Sequence, residues 1–313
     1  MDVRQISTLI AIADHGSFSA AARAMVTTQS NVSAHIARLE AELGATLIDR
    51  STGQLTDEGA LVVERGRRIV RELDEISADI AALDDVVSGD TRIGVIGTTG
   101  RWLMPQFLVR LAEQYPAVRV TVSEGSTSGL VPNLVAGKLD ACIVHLPVDD
   151  PELHVETLFA EDLVLLVPAK HPWHEAGSLP IAALADHPVL VPPGSSTLRR
   201  IVNRAAEANG TVITPLAEID GVRMMASLAF EGFGPAIVPA TAIPRWLKGN
   251  FSRVSVPELP RRVVGWVQRR RPRPGPPTRS AFELARELVG EQGPRQPGVR
   301  VGPDAFPLKQ NPR

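Results

Sequence analysis

Between residues 27 and 40 the chain reads TTQSNVSAHIARLE, and its first five side chains are all uncharged hydrogen-bonding groups. Amides and hydroxyls at this spacing can cap a helix or read nucleobase edges. Gln29 and Asn31 can each pair bidentately with adenine, and Ser33 can donate or accept. Val32, Ile36, Leu39 and Leu43 step by four, three and four, so they form one stripe of a helix that packs inward. Ser30, Ala34, Ala37 and Ala41 fall on the opposite side. A solvated helix back is usually rich in Lys and Glu. This small, uncharged one suits close approach to another surface, and a DNA groove is the candidate.

Other reactive residues lead nowhere comparable. His171 and His174 lie in HPWH, where the proline makes a loop and no acidic or cysteine partner stands at ligand spacing, so no metal is expected. Cys142, the single cysteine, excludes an internal disulfide and a multi-cysteine zinc site; within DACIVH it reads as a small buried hydrophobe. GSTSG at 125–129 has Thr where a nucleophile elbow needs Ser, and GTTG and PPGSS lack the Lys of a phosphate-binding loop. The expectation is no catalysis and no cofactor.

The 313 residues suffice for two or three domains, with 44% hydrophobic and 22% charged residues and a formal net charge of -2. No signal peptide is evident, and apolar runs such as LVLLV at 163–167 are too short to cross a bilayer. A cytoplasmic protein without membrane contact is expected. Overall charge lends nucleic-acid binding no support, and in the first sixty residues Asp and Glu outnumber Arg. Phosphate contacts would have to come from Arg23, Arg38 and Arg50, with hydroxyls and helix amino termini.

The elements that carry these residues follow from periodicity. Val3, Ile6, Ile10 and Ala13 predict a first helix ending near His15-Gly16; Ser19 is expected to cap a second from Ala20 to Met25. After a short turn, Thr27 or Thr28 caps the third. Helix, tight turn, helix is the arrangement that seats the second of a pair in a major groove. Leu47-Ile48, a turn at Ser51–Gly53, and Gln54-Leu55 then predict a wing, with Thr56 capping the next helix.

Here the chain resembles the LysR-type transcriptional regulators, whose amino-terminal pattern is similar to GSFSAAA, TTQSNVS, IARLEAELG, LIDR and LTDEG as they stand in this sequence. It departs at Ile48, where Phe is usual, and at His35, where Gln or Arg is common. The resemblance implies that Gln29, Ser30, Asn31, Ser33 and Ala34 face bases, and that Thr28, Arg38, Arg50 and Ser51 face phosphates of double-stranded promoter DNA. His35, nearer the buried edge of the helix, is open to either packing or base contact.

From Gly59 to Val87 there is no proline, and Val62, Ile69, Leu73, Ile76, Ile80, Leu83 and Val87 are spaced seven, four, three, four, three and four. That is a coiled-coil seam, interrupted where Gly66 takes a core position. It predicts a partner helix and a homodimer; the other reading is a helix lying on its own chain. The family resemblance implies dimers, assembled as tetramers, and RNA polymerase as a further partner.

Beyond the polar hinge SGDT at 88–91, strands and helices alternate: RIGVIG, a helix from Trp102 to Glu113, VRVTVSE, a helix near Leu130 to Ala136, and DACIVHL. A second set runs from EDLVLLVP through HPVLVPP to GPAIVP, before RVVGWVQ and a helix from Ser280 to Val289 return to the first. The pattern predicts two α/β lobes with mostly parallel sheets and a cleft between them. The basic stretch from Arg261 to Arg279 reads as a solvated strand end and loop, and residues 291–313 as a disordered tail.

This half resembles the same family's effector domain, itself similar to periplasmic solute-binding proteins. The fold expected is therefore α/β with an N-terminal winged helix-turn-helix (1–58), a long linker helix (59–88) and a two-lobed periplasmic-binding-protein-like effector domain (89–290). Lobe I spans 91–160 and 263–290, and lobe II spans 161–262. In such folds small ligands bind at strand carboxyl ends. Thr98, Thr99 and Gly100, then Ser126, Thr127 and Ser128, then Gly194, Ser195 and Ser196, and finally Asp220 and Gly221 meet that description. They could hold a carboxylate effector with Arg101 as a nearby charge and His145 as a donor; Asp220 would select a hydroxyl or amine on it. The rival readings are a solute-binding protein or enzyme with an unrelated helical amino terminus, and a repressor that needs no effector.

Overall fold

The structure, a computed structural model, describes residues 1–82 and 86–302, the side chains of 74, 75, 77, 78, 81 and 82 excepted. The chain divides into two compact units, one built on Met1–Gly89 and the other on Asp90–Val135 with the chain beyond Leu139. Among the described residues no helix is long and apolar enough to cross a membrane.

The first unit starts with α1 (Val3–His15), where Asp2 and Gln5 form a reciprocal capping box and Gly16, at a left-handed φ of 76°, ends the helix. α2 (Phe18–Ala24) is capped by Ser17, whose hydroxyl accepts from the Ala20 amide. The cap expected at Ser19 in fact falls two residues earlier: Ser17 holds the extended backbone a cap requires, while Ser19 lies inside the helix. α3 (Gln29–Leu43) is capped by Thr28 and closed by Gly44. Its Val32, Ile36 and Leu39 join Leu9, Ile12, Ala21, Leu47 and Ile48 in one core. Leu43 is exposed instead of completing the stripe, because the helix ends there.

Past α3 an isolated antiparallel bridge between Ile48 and Leu55 forms the wing, turned at Gly53. Thr56 then caps α4 (Asp57–Ala82), accepting from the Gly59 amide. Two glycines seat α4. A Cβ on Gly59 would lie 2.0 Å from the Leu47 carbonyl oxygen, and one on Gly66 would lie 2.5 Å from Ile6 Cγ2. Gly66 therefore interrupts the heptad seam because that turn lies against α1, and Arg67 pairs with Asp14 of α1 beside it.

In the second unit a six-stranded sheet has the order β11-β4-β10-β3-β1-β2. Its strands are β1 (Gly89–Val95), β2 (Val118–Glu124), β3 (Ala141–Leu146), β4 (Leu153–Glu161), β10 (Arg262–Arg269) and β11 (Val299–Arg300). α5 (Gly97–Gln114), α6 (Thr127–Val135) and α9 (Pro276–Gln292) cover it around Phe107, Phe159 and Trp266. A five-stranded sheet has the order β7-β6-β8-β5-β9, with β5 (Leu163–Pro168), β6 (Val189–Val191), β7 (Pro215–Glu218), β8 (Ala236–Pro239) and β9 (Phe251–Ser255). α7 (Thr197–Ala208) and α8 (Val222–Phe230) pack on it, with an apolar cluster on each face.

Both sheets are mixed, not mostly parallel. β1–β3, β6–β7 and β6–β8 run parallel, but β10 lies antiparallel between β3 and β4, and β5 antiparallel between β8 and β9. The cause is the double crossing: β4 leads out to the second lobe and β10 leads back, so they meet head to tail.

Two further expectations are corrected. Residues 291–302 are ordered: α9 continues to Gln292, and β11 pairs with β4 through Val299–Glu161 and Arg300–Ala160. Val299 is buried and Val301 packs beside it on the core, and these apolar contacts with two ladder pairs anchor a proline-rich segment. The basic stretch is not uniformly solvated either. Arg262 and Arg269 are buried, and Arg269 donates to the carbonyls of Leu134 (2.6 Å) and Leu139 (2.9 Å).

Candidate nucleic-acid interface and ligand cleft

The amino-terminal turn of α3 stands free of its own unit. Thr28, Gln29, Ser30, Asn31, Ser33, Ala34 and Arg38 are exposed, as are Arg50 and Ser51 on the wing. Local hydrogen bonds hold the polar end in place. Ser19 donates to Gln29 Oε1 at 2.8 Å, Asn31 Nδ2 donates to the Thr27 hydroxyl at 3.2 Å, and the Thr28 and Ser30 hydroxyls lie 3.0 Å apart. Such bonds limit the rotamers of groups that would otherwise lose that freedom on binding. His35 is half-buried, and its Nδ1 has no partner among the described residues.

The wing is fixed by a residue that periodicity alone did not single out. Glu40 Oε1 accepts from the Leu47 amide at 2.8 Å and the Ile48 amide at 3.3 Å, tying the base of the wing to α3. Arg50 approaches Glu40 Oε2 at 3.6 Å yet keeps most of its surface. At the tip, the Ser51 hydroxyl and amide both donate to Asp49, which holds that carboxyl below its usual range.

The seam of α4 has two parts. Val62 packs on the helix-turn-helix core, whereas Ile69, Leu73, Ile76 and Ile80 are 43%, 43%, 53% and 61% exposed. Val87 is half-buried, and Leu83 lies outside the described residues.

In the second unit a cavity of about 300 Å3 opens between the lobes. Of the residues expected there, Thr98, Ser126, Thr127, Ser128, His145, Ser196, Asp220 and Gly221 line it. Thr99, Gly100, Arg101 and Ser195 do not. The helix expected from Trp102 begins five residues earlier, at Gly97, so Thr99 and Gly100 are buried inside its first turns against the sheet. Arg101 donates to the Ala242 carbonyl at 3.1 Å and to that of Thr241, tying lobe I to lobe II, and burial lowers its pKa. Ser195 is exposed, its carbonyl accepting from Arg200 at 3.0 Å.

The cations of the cleft come from residues that were not anticipated. Arg262 reaches the Thr98 hydroxyl from β10 while pairing with buried Glu161 at 2.7 Å. Across the cleft mouth, Arg223 on α8 pairs with Glu124 at the end of β2 at 3.2 Å. Gly97 makes room for that pair, since a Cβ there would lie 2.7 Å from Glu124 Oε1. His145 is buried at the end of β3. Its amide donates to the Thr127 hydroxyl at 3.1 Å, and its Nε2 has no partner among the described residues. Burial, reinforced by Arg262 and Arg200, pushes the imidazole down to about 3, so it is neutral at physiological pH. No group of three or more His, Cys, Asp or Glu among the described residues could hold a metal.

Residues 3–60 match the family model for the bacterial regulatory helix-turn-helix protein, lysR family, and residues 84–290 match that for the LysR substrate binding domain. The chain is 30% identical over 295 residues to the DNA-binding transcriptional dual regulator OxyR of Escherichia coli K12, covering 92% of this chain and 95% of the relative. A probable hydrogen peroxide-inducible genes activator of Mycobacterium avium is 30% identical over 299 residues, covering 92% and 94%. Among solved structures, a full-length OxyR variant from Pseudomonas aeruginosa superposes with a TM-score of 0.74 at 24% identity, covering 92% of this chain and 95% of that one. CbnR, a LysR family transcriptional regulator, does so at 0.66 and 22%, covering 92% and 99%.

Proposed function

Because the chain belongs to the lysR family of bacterial regulatory helix-turn-helix proteins, and is thus a DNA-binding transcriptional regulator and not an enzyme, we propose how it reads DNA and what it senses. α3 enters the major groove of promoter DNA with Gln29, Ser30, Asn31, Ser33 and Ala34 toward base edges, and His35 at the margin of that face. Thr28, Arg38, Arg50 and Ser51 hold the flanking phosphates. The exposure of this polar face, all on one side of a helix whose other side is core, supports the assignment.

The regulator acts in the cytoplasm as a homodimer joined along Ile69, Leu73, Ile76 and Ile80, with RNA polymerase a further partner by family resemblance. Four exposed apolar residues at heptad spacing support the dimer seam.

The effector is a small carboxylate that also carries a hydroxyl or amine. The observation that carries this reading is the lining of the cleft: Ser126, Thr127 and Ser128 offer hydroxyls, Arg262 and Arg223 offer cations, and Asp220 offers an acceptor. His145 Nε2, buried and without a partner among the described residues, adds one polar group for the ligand to satisfy. An effector acts by binding one inter-lobe angle better than another, which changes the spacing of paired reading heads.

Peroxide, named for several relatives, is not supported as the signal here. Cys142, the single cysteine of the sequence, is fully buried on β3, and burial raises its thiol to about 12. The thiolate is the reactive species, and this environment suppresses it.

The test combines footprinting with a carboxylate panel. Ser33→Arg abolishes the specific footprint without lowering the unfolding midpoint, and a bound hydroxy or amino carboxylate raises that midpoint and alters the footprint of the unsubstituted protein. Unchanged footprints for Ser33→Arg would contradict the groove assignment, and protection identical with and without a bound carboxylate would contradict the sensing.

A further inference from the structure

Each arginine that lines the inter-lobe cleft arrives with a counter-charge. Arg262 is paired with Glu161, both buried, and Arg223 with Glu124, both about half-exposed. Asp220 lines the same cavity, just before the amino terminus of α8, and pairs with no cation among the described residues. One cation nearby is likewise left over. Arg200 on α7 is held by the Ser195 carbonyl and the Thr197 hydroxyl, each at 3.0 Å, and pairs with no carboxylate among the described residues. Its charge is felt inside the cleft: burial first, then Arg262 and Arg200, keep the His145 imidazole neutral. Without a ligand, therefore, the site holds two matched pairs and two unmatched charges of opposite sign. A simple anion answers one of these and is repelled by the other, whereas a zwitterion answers both.

The hydroxyls of lobe I are already oriented. Thr127 Oγ1 accepts from the His145 amide, and Thr98 Oγ1 accepts from Arg262. The Ser126 and Ser128 hydroxyls lie 3.1 Å apart, so one of them accepts from the other. A hydroxyl has a single hydrogen, and each of these acceptors keeps its own for a group that only accepts. The first amides of α6 have no acceptor within the helix and face the same need. His145, 4% exposed, lines this side of the cavity with a ring nitrogen that no described residue satisfies. Lobe I thus offers donors to a carboxylate. On lobe II, Asp220 accepts only, and an ammonium brings it both charge and several hydrogens where a hydroxyl brings one hydrogen and no charge. Ile96, Pro192, Leu198 and Val222 give the lining an apolar part.

We propose that the effector is an α-amino acid with an aliphatic side chain, its carboxylate on the lobe I hydroxyls and its ammonium on Asp220 of lobe II, a narrowing that rests on the carboxylate reading of the cleft. Arg200 supplies the positive field that balances Asp220. The side chain rests on the apolar part of the lining. A ligand held at both charged ends touches both lobes at once.

The test is calorimetric titration of the full-length protein with L-leucine and L-valine, each against the 2-hydroxy acid of the same carbon skeleton. The tighter amino acid should occupy one site per chain and bind about tenfold or more tighter than its hydroxy counterpart. Asp220→Asn should weaken that amino acid about tenfold, change the hydroxy acid less than about threefold, and leave the unfolding midpoint of the ligand-free protein unchanged. Hydroxy acids that bind as tightly as the amino acids would overturn the inference and leave the carboxylate reading standing. Equal losses for both classes in Asp220→Asn would overturn it too, since Asp220 would then only shape the cleft. If neither amino acid binds while another carboxylate raises the unfolding midpoint, the inference alone fails; if no carboxylate does so, the reading beneath it fails as well.

Discussion

Glu161 and Arg262 are direct antiparallel partners, the last residue of β4 and the first of β10, at the two points where the chain passes between lobes. Both are buried, and the Arg262 Nε donates to Glu161 Oε2 at 2.8 Å. The other carboxylate oxygen accepts from the Thr241 amide of lobe II at 2.7 Å, and Arg262 reaches on to Thr98 in the cleft. One ion pair therefore joins both crossings, the second lobe and the ligand cavity.

Glu161→Ala should lower the unfolding free energy by about 3–5 kcal/mol, because it leaves the Arg262 guanidinium buried without its counter-charge. Denaturant unfolding measures this. A loss under about 1 kcal/mol, the size expected of an exposed pair, would contradict the structural role of the contact.

His145 makes stability depend on pH. Its folded value of about 3 lies below the ordinary value near 6.5, so between these the unfolded chain binds the extra proton. Its contribution is complete above about 6.5 and drains away as pH falls toward 3, by at most about 1.4 kcal/mol per pH unit. His145→Asn should flatten the profile of unfolding midpoint against pH between 4 and 6. Parallel profiles for the two proteins would contradict it.

Leu73→Asp with Ile76→Asp places charge on the exposed seam of α4 and should weaken self-association about 100-fold or more, at unchanged helix content. Sedimentation velocity across a concentration series reads the change. A variant that still sediments as the unsubstituted protein does would show that the copies meet elsewhere.

What could be read from the sequence is what depends on neighbours along the chain. Thr28 and Gly44 bracket α3 because cap chemistry is local. Ser126, Thr127 and Ser128 were visible as a polar cluster after an alternating strand, and they line the cleft. Glu124, Arg223 and Arg262 were not, because their roles arise only when β2, α8 and β10 converge from distant positions. A charged residue beside other charged residues reads as solvated, which hid Arg262 and Arg269 in a basic run. Arg101 misled in the opposite way: a cation beside a polar turn looked available, but the helix starts earlier and turns its guanidinium to carbonyls of the other lobe. Ser17 and Ser19 show the limit of a local signal, since both suit a cap and only backbone conformation chooses between them.

Gly59 and Gly66 let α4 rest directly on the Leu47 carbonyl and on Ile6, with no side chain between. The reading head and its 26-residue helix consequently behave as one stiff oar, whose shaft alone is about 39 Å long, without an oarlock of its own. A push on the distal turns reaches α3 as rotation of the whole blade. Larger residues at either glycine would put slack into the stroke, and operator spacing would lose its sharpness even where every base contact survived.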